Sequence, residues 1–422
     1  MKAVIIGSGL IGTSSAYFLA RRGWEVTVLD RQEGPGLETS FANGSLLTPS
    51  MPEPWNSPGS WRVLLKSLPR SDSALKLRLK ALPQLAGWGI GFLRNSSPPR
   101  YERNTVKNLK LALHSAEVLA RLRREIGIEY GGAFRGSLRI IRDAAALEAA
   151  LAWAERLRPH GLTFRRLTAK EIVAMEPALA HLDGQLAGGI HYPLDEIGNA
   201  HKYCVALAEH ARRAGVEFRF RTPVTALEAR QGSIAAVVSG DRRFTADRYV
   251  MAAGSYSPLL LKRLGLRLPV KPAKGYSVTF ARPPLDPPFQ LPVADDDFHA
   301  VVVPLENVIR VAGTAEFTGY DLRLTEARIQ NLLTLVRQVL PQGGFERSAA
   351  QAWCGLRPMS VDGVPIIGPT PIANLWTNTG HGPLGWTMAA GSGQLLSDLL
   401  TGGSPAVEPE AYALARFNKE GE

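Results

Sequence analysis

Four apolar residues, Ala3-Val4-Ile5-Ile6, run straight into Gly7-Ser8-Gly9-Leu10-Ile11-Gly12. A helical stretch then ends in Arg21-Arg22-Gly23, and a second apolar run, Trp24 to Leu29, closes on Asp30. A short apolar run followed by a 3.6-residue period predicts strand then helix, and cations followed by glycine mark the helix end. The glycines have separate uses: Gly7 permits a tight turn, Gly9 lets backbone N–H groups approach a pyrophosphate, and Gly12 lets the helix pack close to the strand. Asp30, 18 residues beyond Gly12, stands where a ribose hydroxyl needs an acceptor. The opening therefore predicts a βαβ dinucleotide-binding unit.

Related patterns return further on. A helix predicted over 199–213 stops at Gly215, the alternating run Val216 to Phe220 leads to Thr222-Pro223-Val224, and a strand from Arg248 to Ala253 ends on Gly254. Near the end of the chain, Leu375 to Thr379 predicts a strand and Leu384 to Leu400 a helix. Gly34 to Ser60 reads as loop, with helical stretches through Ile126, a strand at Ser137 to Arg142 and a helix at Asp143 to Arg158. Residues 271–344 hold strand-like runs such as Gly275 to Phe280 and Ala300 to Val303 between turns rich in Pro and Asp, which suits an antiparallel sheet. The expected fold class is α/β. A Rossmann-like nucleotide domain would be assembled from 1–60, 199–270 and 345–422, and an α+β substrate domain from 61–198 and 271–344. A ligand held by both would lie across their interface.

At 422 residues, 45% of them hydrophobic, the chain has the composition of an ordinary globular protein with a large core. Cys204 and Cys354 form neither a CxxC pair nor a disulfide framework and are expected as buried small hydrophobes in a reducing compartment. The eight histidines lack metal-ligand spacing, so no metal is expected. The apolar opening lacks a small-residue cleavage pattern, so the expected location is cytoplasmic. The formal charge of +11 favours anionic surfaces or substrates. Much of it gathers between Trp61 and Lys110, where eleven Lys or Arg face only Asp72 and Glu102 around the uncharged run Ala81 to Leu93. Two readings fit: peripheral contact with the cytoplasmic side of a membrane, or a core helix with a solvated basic face. Nucleic acid is not expected as a partner, because no binding module accompanies the charge.

Further motifs are more specific. Glu38-Thr39-Ser40-Phe41-Ala42-Asn43-Gly44-Ser45-Leu46-Leu47-Thr48-Pro49, Lys274-Gly275-Tyr276-Ser277, Ala312-Gly313-Thr314-Ala315-Glu316-Phe317, Gly355-Leu356-Arg357-Pro358-Met359 and Thr379-Gly380-His381-Gly382-Pro383-Leu384-Gly385-Trp386-Thr387 occur in order along nearly the whole chain. Together they resemble the FAD-dependent D-amino-acid dehydrogenases, within the superfamily of enzymes that oxidise D-amino acids, glycine and sarcosine. The chain departs from that pattern at Asn43-Gly44-Ser45 and around Asp195 to Asn199.

The resemblance implies FAD as cofactor and oxidation of a D-amino acid to its imino acid, which hydrolyses to a 2-oxo acid and ammonia. Electrons would pass to a quinone or another electron-transfer acceptor. The alternatives are a hydroxy-D-proline dehydrogenase, a glycine- or sarcosine-type oxidase, and a flavin-binding partner subunit without turnover. Expected cofactor-binding residues are Gly7, Gly9, Gly12, Asp30 and Arg31 in the opening unit, with Ser40, Asn43, Gly44 and Ser45 after it. Val224, Ala253 and Gly254 join them from the middle of the chain. Gly380, His381, Gly382, Leu384 and Gly385 form a glycine-rich turn whose N–H groups can face the flavin's pyrimidine edge. Arg357 is the expected anchor for the substrate carboxylate, because a guanidinium fork matches a carboxylate bidentately. Tyr276 is expected in the catalytic site, its phenol either bonding that carboxylate or packing in a strand.

Overall fold

The computed structural model describes residues 1–59, 75–77 and 82–418. Strand Lys2–Ile6 lies between Glu25–Leu29 and Arg248–Met251, parallel to both. Glu217–Arg219 extends this sheet on one side; Leu375–Thr379 and the antiparallel Ile366–Pro369 extend it on the other. Parallel strands covered on both faces need continuous apolar runs, and Ile5, Val28, Val250 and Leu375 are all fully buried. One face packs against helices Leu10–Arg21, Ala200–Arg213 and Ala389–Thr401. The other packs against a small sheet of Ala226–Arg230, Ser233–Ser239 and Arg242–Phe244. At Gly12 a Cβ would stand 1.9 Å from the Gly7 carbonyl oxygen, so only glycine lets the first helix leave its turn this closely.

The second, larger sheet runs in the order Gln351–Ser360, Val270–Ala281, Val308–Phe317, Ala300–Leu305, Val293–Asp295, Ser137–Ile141, Gly188–Tyr192, Arg165–Leu167. Most of its pairings are antiparallel, and helix Glu326–Val339 closes its core with Ile329, Leu333 and Val336.

Three placements differ from the sequence reading. Gln351–Ser360 pairs along Val270–Ala281 and so stands in the larger sheet, not with the nucleotide segment 345–422. Helix Pro98–Ile126 sends Leu111, Val118 and Leu122 into the nucleotide-side core, although it falls within 61–198. An amphipathic pattern reveals a buried face without naming the core that receives it. The last helix begins at Ala389 rather than Leu384, because Gly380 and Gly382 hold left-handed backbone and Gly382–Leu384 makes a single 3₁₀ turn. Of the basic stretch, residues 60–74 and 78–81 lie outside the described residues.

Candidate active site

A cavity of about 1250 Å³ is lined by residues from both sheets, larger than the roughly 300–1,000 Å³ usual for a single small ligand. At one end it meets the first strand–helix turn. Gly7 has φ +105°, and Gly9 precedes a helix with no acidic residue in its first turn, so the positive end of the helix faces the cavity uncancelled. Asp30, at the end of Glu25–Leu29, is held by the Ser8 N–H and hydroxyl, both at 2.6 Å, and by the Gln32 N–H at 2.8 Å. Arg31 forms a two-point pair with Glu38, at 2.5 and 2.8 Å, and lies over the Tyr256 ring at 3.9 Å. Ser40 accepts from the Leu10 N–H at 3.2 Å. Val224, Ala253 and Gly254 complete this end.

The glycine-rich turn lies along the same cavity, with His381, Gly382, Leu384 and Gly385 on its wall. His381 is buried, one ring nitrogen (Nε2) bonded to Ser392 Oγ at 2.8 Å and the other (Nδ1) without a partner among the described residues. Burial pushes its pKa down to about 3, so the ring is neutral at physiological pH and offers a dipole rather than a charge. A buried orphan nitrogen, an uncancelled helix N-terminus and a fixed acid at a strand end together suit an extended dinucleotide such as FAD. Asn43 and Gly44 also line the cavity, whereas Gly12, Ser45 and Gly380 stand behind its wall. Ser45 is buried in left-handed backbone, its hydroxyl accepting from Arg310 at 2.8 Å.

Arg357 occupies the other side. It pairs with Ala273 across the strands, and its side chain runs diagonally over Gly275, where a Cβ would lie 2.3 Å from the guanidinium carbon. Glycine at 275 makes the seat for this cation. The guanidinium donates to the Thr314 carbonyl at 3.1 Å and lies 5.2 Å from the Trp55 ring centre. Thr314 is the extra residue of a bulge, since Gly275 pairs with Ala315 and Tyr276 with Gly313. Its φ of +51° is strained for a β-branched residue, and its buried hydroxyl has no partner among the described residues. No acidic side chain pairs with Arg357 among the described residues, and desolvation alone lowers its pKa, to about 10. The group therefore stays cationic at physiological pH, facing a cavity without a counter-charge.

Tyr276 also reaches the cavity wall, but its hydroxyl donates to Glu316 at 2.7 Å and sits 3.1 Å from Thr325 Oγ1. Glu316 in turn pairs with Lys274 and Arg328 in the core. Bonding a substrate carboxylate would require Tyr276 to break that buried network, so its position matches the packing alternative. The sequence reading did not assign Gly275, Thr314 or Trp55 a role. A bulge and a diagonal contact between strands leave no local pattern, although Lys274-Gly275-Tyr276 and Ala312-Gly313-Thr314 stand within motifs that carried the resemblance.

The family model described as FAD dependent oxidoreductase matches residues 2–399. A D-amino acid dehydrogenase from Paramagnetospirillum magneticum is 46% identical, the match covering 99% of each chain. One from Chromohalobacter salexigens is 41% identical over 99% of this chain and 100% of its own. Among solved structures, glycine oxidase from Geobacillus kaustophilus aligns with a TM-score of 0.75 at 23% identity over 98% of both chains. L-proline dehydrogenase from P. horikoshii aligns with a TM-score of 0.77 at 18% identity, over 99% of this chain and 98% of that one. At these identities the two structures establish the fold.

Proposed function

The chain belongs to the FAD dependent oxidoreductase family, and from that membership we propose that it oxidises a D-amino acid to the imino acid, which water converts to a 2-oxo acid and ammonia. The observation that carries this reading is Arg357, a half-buried cation on the wall of the cofactor cavity with no acidic partner among the described residues. A binding subunit without turnover has no use for a desolvated positive charge, which costs stability unless an anion meets it. The names of the relatives, D-amino acid dehydrogenase, support reading that anion as an amino-acid carboxylate.

When bound, FAD supplies a two-electron acceptor for the hydride on the substrate α-carbon. The residues of the chain do the rest by position. Arg357 fixes the carboxylate through its fork, Gly275 keeps space for that fork, and the Thr314 carbonyl sets its orientation. The amine enters neutral, so no side chain is assigned as obligatory base. The neutral His381 ring and the N–H groups of Gly382 and Gly385 polarise the cofactor side of the cavity.

For the acceptor we favour a quinone or electron-transfer partner reached at a membrane surface. Among the described residues no helix is long and apolar enough to cross a membrane. Helix Leu82–Arg94 turns Trp88 and Phe92 inward, stacked on each other, with Trp88 bonded to the Pro269 carbonyl, and leaves Ile90 and Leu93 exposed. Those two aliphatic residues, beside a basic stretch, are the part of this chain that would meet lipid. The test of function is anaerobic mixing with D-amino acids, their L-enantiomers, glycine, sarcosine and hydroxyprolines. Bleaching of the flavin by D-amino acids is expected, and bleaching by glycine or sarcosine alone would move the protein to the oxidase reading.

A further inference from the structure

The cavity continues past Arg357 and Trp55 into a lobe walled by Glu53, Tyr101, Arg139, Trp153 and Asp296. Ala149 and Ala150 of helix Ala144–Leu157 face the same lobe, and their small side chains leave it room. The lobe adjoins the anchor through one segment: Glu53 stands two residues before Trp55, whose ring centre lies 5.2 Å from the Arg357 guanidinium.

Its charges do not balance. Asp296 is held by Arg139 through two bonds at 2.6 and 2.8 Å, and Asp295 by Arg142 at 2.8 and 2.9 Å. Glu53 has only a neutral donor, the indole N–H of Trp153 at 2.7 Å, and no cation pairs with it among the described residues. Burial pushes its carboxyl pKa up, and the nearby Arg139 charge, bonded to Asp296, offsets this only in part. Tyr101 and Trp153 stand beside it with ring centres 5.4 Å apart, an aromatic wall of the kind that attracts cations. An acid that lines a cavity, whose nearby cation is already bonded to another carboxylate, and that adjoins aromatic rings is complementary to a positively charged ligand group.

We propose that this lobe receives the far end of the substrate side chain and that Glu53 pairs there with a cationic nitrogen, so that the substrates include D-amino acids with basic side chains. The α-ammonium does not meet this description, because one carbon separates it from the carboxylate that Arg357 holds. The inference rests on the reading of Arg357 as carboxylate anchor and adds the opposite pole of the ligand.

The test uses two carboxylates that lack an α-amine and so cannot be oxidised, 6-aminohexanoate and hexanoate, which differ only in the terminal ammonium. Each is titrated into the FAD-loaded protein, and binding is followed by calorimetry and by the flavin spectrum. 6-Aminohexanoate is expected to bind at least about tenfold tighter than hexanoate. Glu53→Gln, which keeps an acceptor for Trp153, is expected to bring the two within about twofold. Equal or tighter binding of hexanoate by the wild type, an unchanged ratio in E53Q, or failure of both to bind would each overturn the assignment. The two proposals fail separately: flavin that no D-amino acid bleaches, with the ratio intact, removes the oxidation reading alone. Bleaching by D-alanine without the ratio removes the lobe alone.

Discussion

Two arginines face the same cavity from opposite ends and differ in what neutralises them. Arg31 is partly exposed, joined to Glu38 by two bonds and stacked on Tyr256; Arg357 is desolvated, bonded to one carbonyl and joined to no acid among the described residues. A paired charge near solvent is nearly neutral in its effect, whereas an unpaired, half-buried one is costly until an anion meets it. The contrast separates a charge neutralised within the chain from one that an anionic ligand would neutralise.

The largest expected break comes from Arg357→Met. The half-saturating substrate concentration should rise about 100-fold or more, with FAD still bound at one per chain, since loss of one partner of a buried charge pair costs roughly 2–5 kcal/mol. In the ligand-free protein the same change should stabilise by about 1–2 kcal/mol, read from urea unfolding, because the uncompensated cation is gone. Opposite signs in binding and stability distinguish an anchor from a structural arginine.

Asp195 sharpens the comparison with a buried charge of the other sign. It accepts from the Ser50 N–H and hydroxyl and from Ser137 Oγ, which ties the segment leading to Trp55 to the larger sheet, and burial lifts its pKa to about 7. The folded protein thus keeps a proton that the unfolded chain releases near pH 4, so stability should drain as pH rises from about 4 through 7. Asp195→Asn should flatten that slope and gain about 2 kcal/mol at pH 8, measured by unfolding across pH. A slope left unchanged would remove Asp195 as its cause.

Gly275→Ala tests the seat rather than the charge. The new Cβ must displace the guanidinium, so the half-saturating substrate concentration should rise about tenfold while FAD affinity holds. The smallest effect belongs to Glu38→Gln, where the partly exposed pair with Arg31 is worth about 0.5 kcal/mol. FAD titration should detect a change of about twofold or less.

The sequence made the cofactor end legible because its determinants are local. A strand, three spaced glycines and an acid at the next strand end lie within 30 residues, and the structure puts each at the expected turn. Arg357 was found through a motif, but its seat was not, because Gly275 lies 82 positions away and meets it only through strand register. Thr314 ran against local preference, since a β-branched residue in left-handed backbone has no sequence sign. Glu53 did leave one: it is the only charged residue from Thr39 to Trp61, set between Pro52 and Pro54. Strand Gln351–Ser360 was read as a motif rather than as an element, because its Gly, Pro and Arg break the alternation that marks strands.

The central claim is the proposal that Arg357 binds the substrate carboxylate, and titration of propionate into the FAD-loaded protein tests it without requiring turnover. The wild type should bind propionate with a perturbed flavin spectrum, and Arg357→Met, equally loaded with FAD, should bind it about 100-fold more weakly. Equal affinity in the two proteins would contradict the account.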